Sequence, residues 1–153
     1  RIGVIGTAAT VRSGCFAQRI REVRPDAEVS VLACPLFVPL VENGFIEPGN
    51  EITHLTAEHY LAPLRERGID TLILGCTHFP IIEPTISACL PGVALVNASR
   101  EAALELTQLT ADEGDGRTEY FVSDDPQNFD ANASLFLGGA CDIRSCKIDI
   151  EAF

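Results

Sequence analysis

The chain has 153 residues, enough for one compact domain with a core, or for a domain plus a segment that belongs to another, and too few for two large independent domains. Eleven Lys and Arg against 22 Asp and Glu give a formal charge of −11, which argues against a binder of nucleic-acid backbone. No apolar run approaches the roughly 20 residues of a membrane-spanning helix, so neither nucleic acid nor membrane is an expected partner.

The opening Arg1-Ile2-Gly3-Val4-Ile5-Gly6 enters a strand at once without a cleavable leader, and a soluble, cytoplasmic protein is expected. Methionine is absent and position 1 is arginine, so the sequence reads as a processed or truncated piece of a longer product.

Short apolar runs alternate with amphipathic stretches, the pattern of βα units around a mainly parallel sheet flanked by helices. The predicted strands are 2–6, 28–33, 70–75, 93–97 and 118–123, with a weaker one over 143–150. Predicted helices cover 11–23, 36–43, 55–67, 79–89, 99–112 and 127–137, and the polar stretch Asp112 to Arg117 reads as a connecting loop. Four predicted strand ends carry small or polar residues: Gly6-Thr7, Ala33-Cys34-Pro35, Gly75-Cys76-Thr77 and Asn97-Ala98-Ser99. They are expected to line one edge of the sheet.

Thr7, Thr10, Arg12 and Ser13 occupy the first such turn. With Gly6 they suit either an anion-binding turn or plain helix capping by Thr10 or Ser13, and the required glycines and lysine of a Walker A loop or a dinucleotide fingerprint are missing. The next turn opens an almost wholly apolar run, Cys34 to Val41, that ends on Glu42. That carboxylate either leads into solvent, the commoner fate, or points into a site. Near His78 it would make the imidazole an acid or a partner of a thiolate.

His54 and His59 are five apart, the wrong spacing for one helical face, and read as solvated surface. The most informative stretch is Ile73-Leu-Gly-Cys-Thr-His-Phe-Pro-Ile-Ile-Glu83, where a β-type run ends on a thiol and a helix start. Ligands of open α/β sheets sit beyond the carboxyl ends of strands, and a helix N-terminus or a protonated neighbour favours a thiolate. Cys76, with His78 two residues on, therefore reads as a thiolate base or nucleophile. Thr77 is the expected companion of His78 in holding a substrate carboxylate or amine.

Six cysteines at 15, 34, 76, 89, 141 and 146 form neither a Cys-x-x-Cys pair nor, with the histidines, a zinc pattern, so no metal is expected. A chain this apolar does not need disulfide staples, and most of these thiols read as buried small hydrophobes. Cys141 and Cys146 read as packing.

Three ordered motifs resemble the second half of a bacterial glutamate racemase of the aspartate/glutamate racemase superfamily: Ile2 to Ser13, Ala33 to Glu42, and Gly75-Cys76-Thr77-His78-Phe79-Pro80. The likeness runs to about Gly138, through Asn97-Ala98-Ser99 and Phe121-Val122-Ser123-Asp124-Asp125-Pro126, and leaves the last fifteen residues unmatched. What the resemblance implies is a cofactor-independent isomerase with two pseudo-symmetric α/β domains and one catalytic cysteine from each. It would interconvert L- and D-glutamate for peptidoglycan synthesis, cell-wall biogenesis and cell shape.

In that frame Cys76 is the second catalytic cysteine, His78 and Glu42 assist it, and Thr77, His78, Thr7 and Thr10 contact the substrate. Residues 1–98 would form the second racemase domain, and 99–153 a segment that returns to the first. The first domain, with its own motifs and thiol, is absent here, and neither Cys15 nor Cys34 replaces it. The implied partners are glutamate, the N-terminal racemase domain and a further copy in a homo-oligomer. The competing readings are another superfamily member acting on aspartate, hydantoin or maleate, and a non-catalytic module that binds a dicarboxylate.

Overall fold

The computed structural model describes residues 1–110, 118–138 and 145–150. Two compact units divide the chain, Arg1–Thr110 and Ala111–Phe153. In the first, β1 (Ile2–Gly6), β2 (Val29–Ala33), β3 (Thr71–Leu74) and β4 (Ala94–Asn97) form a parallel sheet in the order β2-β1-β3-β4. Helices α1 (Ala8–Ser13), α2 (Cys15–Val23), α3 (Phe37–Glu42), α4 (Glu51–Glu66), α5 (Glu83–Cys89) and α6 (Ala98–Leu109) follow the strands. The second unit holds β5 (Tyr120–Val122) and β6 (Ser145–Lys147), paired in parallel, and α7 (Pro126–Phe136). The mainly parallel sheet flanked by helices is the architecture that the alternating apolar runs predict, and the predicted Asp112 to Arg117 loop, Cys141 and the start of the predicted 143–150 strand lie outside the described residues.

The sheet core is continuous. Val4 and Ile5 of β1, Leu72 and Leu74 of β3, and Phe37, Val41, Ala57, Leu61, Leu64, Phe79, Ile82 and Ile86 from the helical layer are almost wholly withdrawn from solvent. Burial of that kind is the main force holding the layers together, about 1.5–3 kcal/mol for each large side chain.

Helix boundaries depart from expectation where backbone chemistry intervenes. The predicted helix 11–23 is two helices, because Gly14 sits at φ 68 and closes α1 while opening α2. The predicted helix 79–89 is a 3-10 turn, Phe79–Ile82, followed by α5. Pro84 lacks the N–H that an unbroken α-helix would send back to the carbonyl of Pro80, and Glu83 N–H takes that carbonyl instead. Helix α4 begins four residues before expectation, since the Asn50 side chain accepts from Thr53 N–H at 3.1 Å and caps it.

Helix α6 buries none of its residues, and leaves Leu104, Leu106 and Leu109 exposed. No helix among the described residues is long and apolar enough to cross a membrane.

Candidate functional site

Strand order decides where a site can form. From β1 the chain crosses to β2 on one side, and from β2 it passes back across β1 to β3 on the other, so connections diverge between β1 and β3. Ligand sites of doubly wound sheets lie at such a divergence, beyond the carboxyl ends of the strands. Thr7 follows β1 and Cys76 follows β3, and both stand at it. The register pairs Gly6 with Ala33, Ile5 with Leu74, and Leu74 with Asn97, so the four strand ends do share one edge.

Close backbone approach holds the edge in shape. Gly75 N–H donates to Ile5 O at 2.8 Å, and a Cβ on Gly75 would fall 2.8 Å from that oxygen and 3.1 Å from the Phe16 ring. Only glycine fits there, which fixes the strand end immediately before Cys76. On the neighbouring strand, Cys34 N–H donates to Gly6 O at 2.9 Å and extends the β1–β2 pairing by one bond.

The apolar run of the sequence explains how Glu42 reaches the same edge. Phe37 of α3 meets Phe79 of the 3-10 turn edge to face, with ring centroids 5.2 Å apart and planes at 90°, and meets Tyr60 of α4 likewise at 5.4 Å. Pairs of this geometry contribute about 0.5–1.5 kcal/mol beyond burial. They fasten α3 beside the turn that carries His78, and Glu42 is the last residue of α3.

The outcome is a contiguous thiol, imidazole and carboxylate. Cys76 Sγ lies 3.9 Å from His78 Nδ1, Thr77 Oγ1 lies 3.3 Å from the same nitrogen, and His78 Nε2 lies 3.1 Å from Glu42 Oε1. Cys76 and His78 are half-buried, while Thr77 and Glu42 are exposed. An imidazole bridged in this way can pass a proton between sulfur and carboxylate-stabilised nitrogen, and the carboxylate fixes its orientation.

Thr7 and Thr10 form a pair of their own. Thr7 Oγ1 accepts from Thr10 N–H at 3.2 Å and lies 3.0 Å from Thr10 Oγ1. Capping of α1 therefore falls to Thr7, not to Thr10 or Ser13; Ser13 Oγ instead donates to Thr10 O at 2.7 Å. Arg12 and Ser13 are exposed on α1.

The thiols divide by environment. Cys34 and Cys89 are buried, and desolvation pushes each thiol up to about 12, with Glu58 beside Cys89 adding to the rise. Cys15 and Cys146 are exposed, against the expectation that most cysteines pack as small hydrophobes. His54, read as solvated surface, has its Nδ1 3.8 Å from Cys89 Sγ. Sequence reasoning missed Phe37 and Phe79 as the fastening of the site and Gly75 as its closest backbone contact; the single aromatic within each of the apolar stretches 34–41 and 79–82 was the available signal.

A doubly wound parallel sheet with a thiol–imidazole–carboxylate chain at its point of divergence defines an α/β protein suited to proton transfer at a small substrate. The chain belongs to the Asp/Glu/Hydantoin racemase family, whose signature matches residues 1–106. It is 44% identical over 162 residues to a glutamate racemase of Geobacter metallireducens, which covers 99% of this chain and 58% of that protein. A glutamate racemase of Aquifex aeolicus is 45% identical over 138 residues, covering 90% of this chain and 52% of its own length. Among solved structures, the Francisella tularensis glutamate racemase in complex with D-glutamate superposes with a TM-score of 0.87 at 31% identity, covering 99% of this chain and 59% of that one. The Thermus thermophilus glutamate racemase, in complex with beta-chloro-D-alanine, superposes with a TM-score of 0.78 at 36% identity, over 100% of this chain and 58% of that one. The chain thus spans little more than half the length of the relatives it matches.

Proposed function

We propose that this chain is the part of a cofactor-independent glutamate racemase that supplies Cys76 as one of two proton-transfer thiols. The observation that carries the reading is the contiguous path from Cys76 Sγ through His78 to Glu42. An α-proton of an amino acid is weakly acidic, so its removal demands a base held at contact distance and donors fixed around the carboxylate.

In the proposed reaction the Cys76 thiolate takes the α-proton from one face. The Cα–H bond breaks, an S–H bond forms, and the electron pair passes into the substrate carboxylate. A second thiol, from an N-terminal racemase domain outside these residues, gives its proton to the opposite face. His78 takes and returns the Cys76 proton, with Glu42 as the positioning residue behind it. Thr77, His78, Thr7 and Thr10 bind the substrate's carboxylate and ammonium groups. Neither Cys34 nor Cys15 is offered for the second role: Cys34 is wholly buried, away from a substrate, and Cys15 lies exposed on α2.

Residues 1–98 are assigned to the second racemase domain and 99–153 to a segment that packs on the first. Leu106 and Leu109, three apart on α6 and both exposed, support that assignment, because they offer apolar surface to a neighbour outside these residues. The product, D-glutamate, would feed cytoplasmic peptidoglycan synthesis.

Deuterium wash-in from D2O, followed by NMR on separate L- and D-glutamate samples, tests the reading. The 153-residue chain is expected to exchange the α-proton of one enantiomer only, without net racemisation, and Cys76→Ser is expected to abolish exchange. Undiminished exchange in Cys76→Ser would overturn it, and saturable glutamate binding without any exchange would reduce the chain to a dicarboxylate-binding module.

A further inference from the structure

Helices α4 and α5 bring together a second set of chemistry-bearing side chains that the racemase site does not use. His54 and Glu58 stand one helical turn apart on α4, and Cys89 ends α5. We propose that His54 Nδ1, the Glu58 carboxylate and Cys89 Sγ form a binding site for a single divalent ion of the zinc class.

Geometry is the first support. One donor atom from each of the three residues lies within 4.8 Å of the other two, and Sγ is 3.8 Å from Nδ1. Tetrahedral zinc, with bonds of about 2.3 Å to sulfur and about 2.0 Å to nitrogen, needs those two atoms about 3.5 Å apart. Contraction by a few tenths of an ångström completes the pair, within reach of side-chain adjustment.

Donor chemistry is the second. Imidazole nitrogen, thiolate sulfur and carboxylate oxygen are the three ligand types that zinc takes, and three protein ligands with a water in the fourth position make a common open site. The Glu58 side chain is about a third exposed, which gives water access to that position. His54 and Glu58 at i and i+4 on a helix also present two ligands from a rigid element, so one rotamer each suffices.

Arg65 balances the charge without blocking the cation. Its Nη1 donates to both Glu58 oxygens, at 3.2 and 2.9 Å, and to Cys89 O at 3.0 Å. A carboxylate offers about four lone-pair sites, so with Arg65 on one site of each oxygen a further site remains for a metal. On binding, the thiol proton passes to solvent and a sulfur–metal bond replaces the S–H bond.

Absence of Cys-x-x-Cys and His-x-x-x-His spacing hides such a site in sequence, because the ligands join across two helices separated by β3. Cobalt(II) is the probe, since a thiolate-to-cobalt charge-transfer absorption reports sulfur ligation directly. Added to the 153-residue chain, it is expected to produce that band, saturating at one equivalent and bleached by zinc. Cys76→Ser should keep the band, and Cys89→Ser should lose it. His54→Gln, with unchanged circular dichroism, removes a direct ligand and should weaken cobalt binding by at least the roughly tenfold that loss of an outer partner costs. A chain that gives no charge-transfer band, a band that survives Cys89→Ser, or one lost in Cys76→Ser would overturn the proposal. Should Cys89→Ser fail to fold, an affinity unaltered by His54→Gln overturns it alone.

Discussion

His78 Nε2 lies 3.1 Å from Glu42 Oε1 across 36 positions of sequence, and the edge-to-face contact of Phe37 with Phe79 is what brings them together. A substitution behind the site should therefore act on the chemistry without touching substrate. In a racemase assembled with its N-terminal domain, Phe37→Leu is expected to lower kcat more than it raises KM, as Glu42 loses its fixed position. Steady-state kinetics in both directions check this, and an unchanged kcat in a folded Phe37→Leu protein would separate the aromatic contact from function.

Glu42→Gln keeps the shape of the carboxylate and removes its charge. General acid–base assistance contributes about 10²–10⁴ in rate, and an oriented partner of the imidazole should carry part of that, about tenfold or more in kcat. The pH profile of kcat should change as well, while KM stays within about twofold. Identical pH profiles for the two proteins would remove Glu42 from the proposed relay.

Gly75→Ala and Gly3→Ala provide a paired test of the sheet edge. At Gly75 the new Cβ meets backbone, Ile5 O at 2.8 Å, whereas at Gly3 it meets the side-chain ends of Ile69 and Leu72 at 2.8 and 3.0 Å. Side-chain ends can turn aside and a strand carbonyl cannot, so Gly75→Ala should cost more, about 1–3 kcal/mol by urea unfolding. Equal losses at both positions would mean that the β1–β3 edge yields more readily than its register implies.

Burial of Cys34 and Cys89 gives the fold a dependence on alkaline pH. Their folded values stand at about 12 against an ordinary 9.0, so the unfolded chain releases protons first. Stability is complete below about pH 9 and falls as pH rises from there toward 12. Urea midpoints at pH 8, 9 and 10 should decline, and less steeply in Cys34→Val. At pH 8 both thiols should resist alkylation until the chain unfolds, while Cys15 and Cys146 react in the native state.

The exposed leucines of α6 should cause association when no partner domain covers them. Leu106 and Leu109 are 58% and 74% exposed, and replacing both with glutamate should shift sedimentation of the chain toward monomer. Wild-type protein that is already monomeric at high concentration would argue against an apolar docking face on α6.

Much of the candidate site was legible as sequence. Cys76, Thr77 and His78 follow a β-type run and precede a proline-marked helix start, and local chemistry alone places such residues at a strand end. The strands themselves emerged within a residue or so for β1 through β4, since a buried parallel strand is a short continuous apolar run whatever surrounds it. Gly14 and Pro84 were visible too, yet their effect depended on whether the chain would bend or continue through them. Apolar periodicity spans both positions without a break.

Tertiary structure decided which of these residues meet. The order β2-β1-β3-β4 sets Thr7 and Cys76 side by side, the α3 packing carries Glu42 to His78, and the α4–α5 seam unites His54, Glu58 and Cys89. Sequence determines local propensity and the identity of each donor, because those depend on near neighbours along the chain. Contacts between residues tens of positions apart depend on strand order and on how helices pack against a shared core, and only the assembled layers fix those distances.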